Sequence, residues 1–293
     1  MADLLAPHSS IEALAAPPRF ENGLLVTTYP EDQVGLRALL AQRLIELGIT
    51  ADPEPLETIH ERLRPEQMLS GQSLLDGPTI QGEPRLREAY RSVVAFLARQ
   101  TLGEDVVFEA NPPLRFHFPI PMSDRLRGAD GVVLTHHSDV MGGDPIDQIN
   151  GWLPLTDCEA TATLQYVPFS TSQVALQRFA LALGNDPEKL ARSRYQFFDE
   201  MNAKESVRQP ILGASRPLEM RRGQVALFDA RLIHGTAENV EPTTRVSIDF
   251  RLLPTSIYDQ MAARWAANTT QRSSRWAKPL RGEFYDESSA YDL

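Results

Sequence analysis

The apolar residues change their period part-way along the chain. In "PEDQVGLRALLAQRLIELG", Leu36, Leu39, Leu40, Leu44 and Leu47 recur at helical spacing on one face, and Gly48 supplies a stop. Pro53, Pro55, Pro65, Pro78 and Pro84 break residues 51–84 into short helices and loops. "PRLREAYRSVVAFLARQTLG" predicts a second helix, opened by Pro84 and closed by Gly103, with Leu86, Tyr90, Val93, Val94 and Leu97 as its buried stripe. Beyond residue 105 the runs shorten. "VVFEA", "LRFHFPI", "GVVLTHHSD", "QINGWLPL", "TATLQYVPF", "GQVALFDARLIHG" and "RVSIDFRLLP" are rich in β-branched and aromatic residues and are punctuated by Pro, Gly and Asp, which predicts strands.

A polar, helix-like insert interrupts the strands near 171–210, and "YDQMAARWAAN" starts a short helix at Tyr258 before a polar tail. Residues 1–20, rich in Ala, Pro and Ser, read as a loose arm. The expectation is a single domain over 1–293, mainly β with flanking helices. A helical part covers 1–105, an antiparallel sandwich or barrel covers 106–258, and a helix and tail cover 259–293.

Composition narrows the function classes. With 42% hydrophobic and 23% charged residues among 293, the chain can bury a core. A net charge of −10 argues against nucleic acid as the main partner, because phosphate binding needs a basic footprint. The single cysteine, Cys158, excludes a disulfide framework and a Cys-rich zinc module and suits a reducing cytoplasm. The first residues lack the basic start and apolar core of a signal peptide, and no apolar run approaches the roughly 18–20 residues that cross a bilayer. The expected partner is a small molecule, with the N-terminal helices offering a face for a homodimer.

The chemistry centres on "VVLTHHSDVMGGDP", residues 132–145. Strand alternation puts His137 and Asp139 on one face and His136 on the other. His137 and Asp139 can therefore converge on one ion, with His234 in "DARLIHGTAENV" as a candidate third ligand. Two histidines and a carboxylate form the facial triad of non-haem Fe(II) oxygenases. The His-x-Asp motif alone also suits a polar turn. After ten intervening residues beyond His234, "RVSIDFR" aligns Arg245, Ser247, Asp249 and Arg251 on one face and Val246, Ile248, Phe250 and Leu252 on the other. An exposed sheet face would alternate in the same way. A guanidinium fork beside a hydroxyl is nevertheless a good carboxylate receptor.

The order His-x-Asp, His, ten residues, Arg-x-Ser resembles the Fe(II)/2-oxoglutarate-dependent oxygenases. "INGWLPLTD" is similar to a core strand of their phytanoyl-CoA dioxygenase-like branch. "GQVALFDARLIHGTAENVEPTTRVSIDFRLLP" resembles the streptomycin-biosynthesis StrG-like group, whose relatives include free-amino-acid hydroxylases and halogenases. The likeness covers roughly residues 85–258. It implies a double-stranded β-helix (jelly-roll, cupin-like) core, with His137, Asp139 and His234 holding Fe(II). It also implies that Arg245, helped by Ser247, pairs with the distal carboxylate of 2-oxoglutarate, and that O2 is the oxidant. Halogenating relatives carry Gly or Ala where this chain has Asp139, so hydroxylation with release of succinate and CO2 is favoured. Desaturation and cyclisation stay open, as does a cupin-like metal enzyme that does not use 2-oxoglutarate. Asp249 and Arg251, with Arg115 and His117 in "LRFHF", are candidate substrate contacts for an amino acid or a related metabolite. Asn150 is a candidate for the cosubstrate, and Trp152 for a pocket wall.

Overall fold

The computed structural model describes residues 11–51, 56–68, 73–75, 77, 79–121 and 135–260. Residues 1–10 of the expected loose arm, residues 131–134 of the expected "GVVLTHHSD" strand and the tail from 261 lie outside the described residues; in the rest of the arm Ile11–Ala15 is a 3-10 helix that buries Leu14, so that part is not loose.

The first expected helix is split. Strand β1 (Leu24–Thr28) leads into α1 (Glu31–Val34) and then α2 (Leu36–Glu46). Gly35 sits between the helices in the left-handed region (φ 68°), which satisfies the end of α1 and re-aims the chain. Leu36, Leu40 and Leu44 are buried, and Leu39 and Leu47 are partly so. Helix α3 (Pro84–Phe96) buries its whole expected stripe and runs on as one π-helical stretch, Leu97–Leu102, to Gly103.

The strands form two antiparallel sheets. The larger has six strands in the order β1, β7 (Gln224–Asp229), β4 (Ile149–Pro154) and β9 (Arg245–Pro254). Both β2 (Val106–Phe108) and β3 (Leu114–His117) pair with β9. The smaller sheet is β6 (Arg216–Pro217), β5 (Leu164–Tyr166) and β8 (His234–Thr236), extended by a bridge from His137 to His234. The expected strand "GQVALFDARLIHG" is thus two strands in different sheets, β7 and β8. β1 was not expected: the N-terminal part contributes an edge strand.

Period-two alternation sorts the faces of the large sheet. Val225, Leu227, Ile149, Leu153, Val246 and Ile248 point to the core shared with α2 and α3. Ala226, Phe228 and Trp152 point to the space between the sheets, with Leu164 and Leu232. The insert is a helical layer wider than expected, made of α4 (Phe169–Ala182), α5 (Pro187–Leu190), α6 (Arg194–Ala203) and α7 (Glu205–Ala214). Leu176, Phe179, Phe197 and Met201 pack there against Met141 and Ile233. The C-terminal helix begins over 255–260. Among the described residues no helix is long and apolar enough to cross a membrane.

One glycine permits the packing at the centre of the large sheet. Gly151 faces Phe250 across the β4–β9 ladder, and a Cβ there would lie 2.2 Å from the ring. The same ring meets Tyr90 of α3 edge-on at 5.5 Å. Gly151→Ala is expected to cost about 1–3 kcal/mol by overpacking. Shrinking the ring as well, in Gly151→Ala/Phe250→Leu, should cost less than the sum of the two single changes. Denaturant unfolding of the three variants checks this, and strict additivity would mean that the ring does not hold the glycine in place.

Candidate metal centre

The candidate ligands come from two chain segments locked together by their backbones. His137 and His234 exchange both backbone hydrogen bonds, at 2.9 and 2.8 Å, as in a hydrogen-bonded antiparallel pair. Their rings lie on the same side with centroids 4.8 Å apart. The turn before His234 is held by a buried pair in which Arg231 donates to both carboxylate oxygens of Asp229, at 2.8 and 2.6 Å. Arg231 also donates to the carbonyls of Ala13 and Ala16, which pins the N-terminal segment. The Ala230 carbonyl of that turn accepts from the Asp139 amide and from the Ser138 hydroxyl. Asp139 is thereby brought to the two histidines as it opens a short 3-10 turn, Asp139–Gly142.

One ligand atom from each of His137, Asp139 and His234 lies within 4.8 Å of the others. Asp139 Oδ1 is 3.5 Å from His137 Nε2 and 3.9 Å from His234 Nε2. Each ring donates its Nδ1 proton to a backbone carbonyl: His137 to Thr135 at 2.7 Å and His234 to Leu232 at 3.0 Å. That tautomer leaves both Nε2 lone pairs directed at the common point, as a metal-binding histidine requires. Burial, together with the neighbouring His137 ring, pushes the His234 pKa down to about 4, so it is neutral near pH 7. Burial alone would raise the Asp139 pKa. Arg251 and the two histidines outweigh it and hold the carboxyl well below the usual range. His136 points away and contacts the Ser215 hydroxyl at 2.8 Å.

The pocket above the triad has a volume of about 260 Å³ and lies between the two sheets. Every residue expected there from the sequence lines it except Ser247, which is buried on the same strand face. Their partners differ. Arg115 is ion-paired with Asp249. Arg251 donates to Asp139 Oδ2 at 3.2 Å and reaches Glu109 at 3.6 Å, so it steadies a candidate ligand. His117 donates from Nε2 to the Ala237 carbonyl, and burial and Arg245 push its pKa down to about 3. Asn150 Oδ1 accepts from Gln148, leaving its Nδ2 without a partner among the described residues, as is Trp152 Nε1.

Arg245 stands apart. It is 4% exposed and lies over the Trp152 ring at 5.7 Å. No carboxylate is paired with it among the described residues. Burial lowers its pKa, an effect that Asp249 partly offsets. A buried guanidinium without an anion is costly, and a bound dicarboxylate would relieve that cost. Ligand set, tautomers and orphan donors thus fit a divalent ion with a carboxylate cosubstrate.

Sequence reasoning missed Arg194 on α6, whose Nη2 is 3.5 Å from Asp139 Oδ1, because the insert carries no motif. Cys158 is a buried thiol whose pKa burial pushes up to about 11, with no nucleophilic role indicated. The two glycines after Asp139 belong to a packed turn, with Gly143 as its left-handed cap.

Gly235 sets the spacing of the ligand strands. A Cβ there would lie 2.8 Å from Thr135 Oγ1 and 2.9 Å from the His136 amide nitrogen. Gly235→Ala is therefore expected to weaken Fe(II) binding by about tenfold or more without removing a ligand, since small displacements of ligating groups are severe. Equilibrium metal titration reads this, and wild-type affinity would show that the strands can part without cost.

Partial likenesses among solved structures include EctD from S. alaskensis with bound Fe, 18% identical over 80% of this chain and 73% of that one, with a TM-score of 0.44. AviO1 from Streptomyces viridochromogenes Tue57 is 18% identical over 85% and 95%, at 0.45. The epimerase SnoN, in complex with Fe3+, alpha ketoglutarate and nogalamycin RO, is 14% identical over 83% of each chain, at 0.43. No curated protein matches the sequence. The family model described as phytanoyl-CoA dioxygenase (PhyH) matches residues 70–247, more than half of the chain. The chain belongs to the phytanoyl-CoA dioxygenase family and is an Fe(II)/2-oxoglutarate-dependent dioxygenase.

Proposed function

We propose that the protein hydroxylates an unactivated C–H bond of a small polar substrate in the cytoplasm, the substrate being an amino acid or a metabolite derived from one. The observation that carries this reading is the buried Arg245, which has no carboxylate partner among the described residues, in the pocket that also contains two histidines whose Nε2 atoms face a common point and an ionised Asp139. When bound, Fe(II) and 2-oxoglutarate supply the oxidant: O2 is consumed, the cosubstrate becomes succinate and CO2, and the substrate C–H becomes C–OH.

The residues of the chain bind, orient and shield. His137, Asp139 and His234 would hold the ion. Arg251 keeps Asp139 Oδ2 engaged, which leaves Oδ1 for coordination. Arg245, with Ser247 two residues along the same strand face, would take the distal carboxylate of 2-oxoglutarate, with Asn150 Nδ2 as a further donor. Trp152 and Phe228 wall the pocket and limit water. Asp249, Arg115 and His117 are the assigned substrate contacts: the Arg115–Asp249 pair and the imidazole make the middle of the pocket polar, which suits a small polar molecule. The presence of Asp139 supports oxygen transfer over halogenation.

The deciding experiment is an anaerobic titration of the metal-free protein with Fe(II) and 2-oxoglutarate, following the visible band of the chelate. Arg245→Ala is expected to raise the 2-oxoglutarate concentration needed by about ten- to a hundredfold, the loss of hydrogen bonds to a charged group. An unaltered requirement would remove Arg245 from the cosubstrate site. His137→Ala and His234→Ala should abolish the band, and Asp139→Gly should abolish product hydroxylation, read by mass. A variant with full activity would not be missing a ligand.

A further inference from the structure

We propose that Arg194 is the recognition site for a carboxylate on the substrate. This rests on the reading of the pocket as an Fe(II)/2-oxoglutarate site and names the substrate class within it. Arg194 belongs to the insert, outside the strands that carry the other pocket residues. It opens α6, whose Phe197 and Met201 anchor the helix in the insert core. Phe198, on the same helix, meets the His137 ring edge-on at 6.2 Å. Arg194 and Phe198, four residues apart on α6, therefore bring a cation and an aromatic ring to the triad.

Charge distinguishes Arg194 from its neighbours. Arg115 is matched by Asp249, and Arg251 lies between Asp139 and Glu109. Among the described residues Arg194 reaches the Asp139 carboxylate alone, at Oδ1 and the long distance of 3.5 Å, and its Nε has no hydrogen-bond partner. That oxygen also faces both histidine Nε2 atoms, so a metal ion would draw it away from the guanidinium. With metal and cosubstrate bound, Arg115 keeps Asp249, Arg251 keeps Asp139 Oδ2 and Glu109 with Asp144 nearby, and Arg245 would take the distal carboxylate of the cosubstrate. Of the four guanidiniums that line the pocket, Arg194 is then the one whose contact, a long one to a candidate metal ligand, leaves it open to a further anion. A carboxylate suits it, because the guanidinium fork matches its two oxygens. The side chain is 34% exposed, against 16% for Arg251, so a ligand entering the pocket can reach it. Gly142 leaves it room: a Cβ there would lie 2.9 Å from Arg194 Nη2.

The test uses propionate as a minimal carboxylate probe and propionamide as its uncharged match. Wild-type, Arg194→Gln, Arg194→Lys and Gly142→Ala proteins are loaded anaerobically with Fe(II) and saturating 2-oxoglutarate, and each probe is titrated against the visible band. In the wild type, propionate is expected to shift the band saturably and propionamide to leave it unmoved. Arg194→Gln should weaken the propionate response by about tenfold or more, the loss of a charge-assisted contact. Arg194→Lys should retain part of it. Gly142→Ala, which keeps the charge but displaces the head group, should fall between Gln and wild type. Fe(II) affinity, read in the loading step, should not fall in Arg194→Gln, because a cation beside the metal site opposes the metal.

The proposal is overturned if the two probes act alike or if neither moves the band. It is also overturned if Arg194→Gln responds as wild type, or if that variant instead loses Fe(II) or 2-oxoglutarate affinity, which would make Arg194 a support for Asp139 or a cosubstrate ligand. Absence of any band in the wild type would remove the underlying reading, and this proposal with it.

Discussion

The backbone pairing of His137 with His234 is the constraint on which the site depends. Two residues nearly a hundred positions apart exchange both main-chain hydrogen bonds, which fixes their side chains on one side and at one height. The pairing is possible because Gly235 lets the strands approach and because the turn from Asp229 is held by a buried Arg231. The same turn offers the Ala230 carbonyl to Ser138 and Asp139. One short segment thus determines where all three candidate ligands lie. Preorganisation of this kind places the ligands before any ion arrives, so its cost is met in folding rather than in binding.

Electrostatics then divides one strand face into two regions. At one end of the inward face of β9, Arg251 is held between Asp139 and Glu109 and stays cationic, and Asp139 stays ionised beside it. At the other end Arg245 is more deeply buried and has no carboxylate partner among the described residues. The first pairing holds a ligand in one orientation, and the second leaves a receptor open. Between them Arg115 and Asp249 neutralise each other, so the middle of the pocket is polar without a net charge. Such an alternation of satisfied and unsatisfied cations is hard to explain as structure alone, because an unpaired buried charge destabilises the fold.

The two helical layers have different tasks. α2 and α3 cover the outer face of the large sheet and carry its stability, with Tyr90 packed on Phe250 over Gly151. The insert packs on the segments around the triad, through Met141 and Ile233. Its helix α6 is the element that reaches the candidate metal ligands from outside the sheets, which places variation in the insert close to the chemistry.

What the sequence determined by itself was local. The change from helical to two-residue period divided the chain into its helical and β parts. Alternation in "RVSIDFR" separated the pocket face of β9 from its core face, and the pairing of His137 with Asp139 was readable from their spacing, although Asp139 opens a 3-10 turn instead of continuing a strand. These features depend on neighbours within a few residues, so they are visible before folding. Pairing at a distance was decided only by the tertiary structure. The N-terminal β1 joined the edge of the large sheet, Gly35 split one expected helix in two, and "GQVALFDARLIHG" divided between sheets at a turn whose buried ion pair could not be foreseen. Arg251 proved to be a partner of Asp139, and Arg194 entered the site from an insert without a motif. The physical reason is range: hydrogen bonds and buried ion pairs act over a few ångströms, and only the folded chain decides which residues come that close.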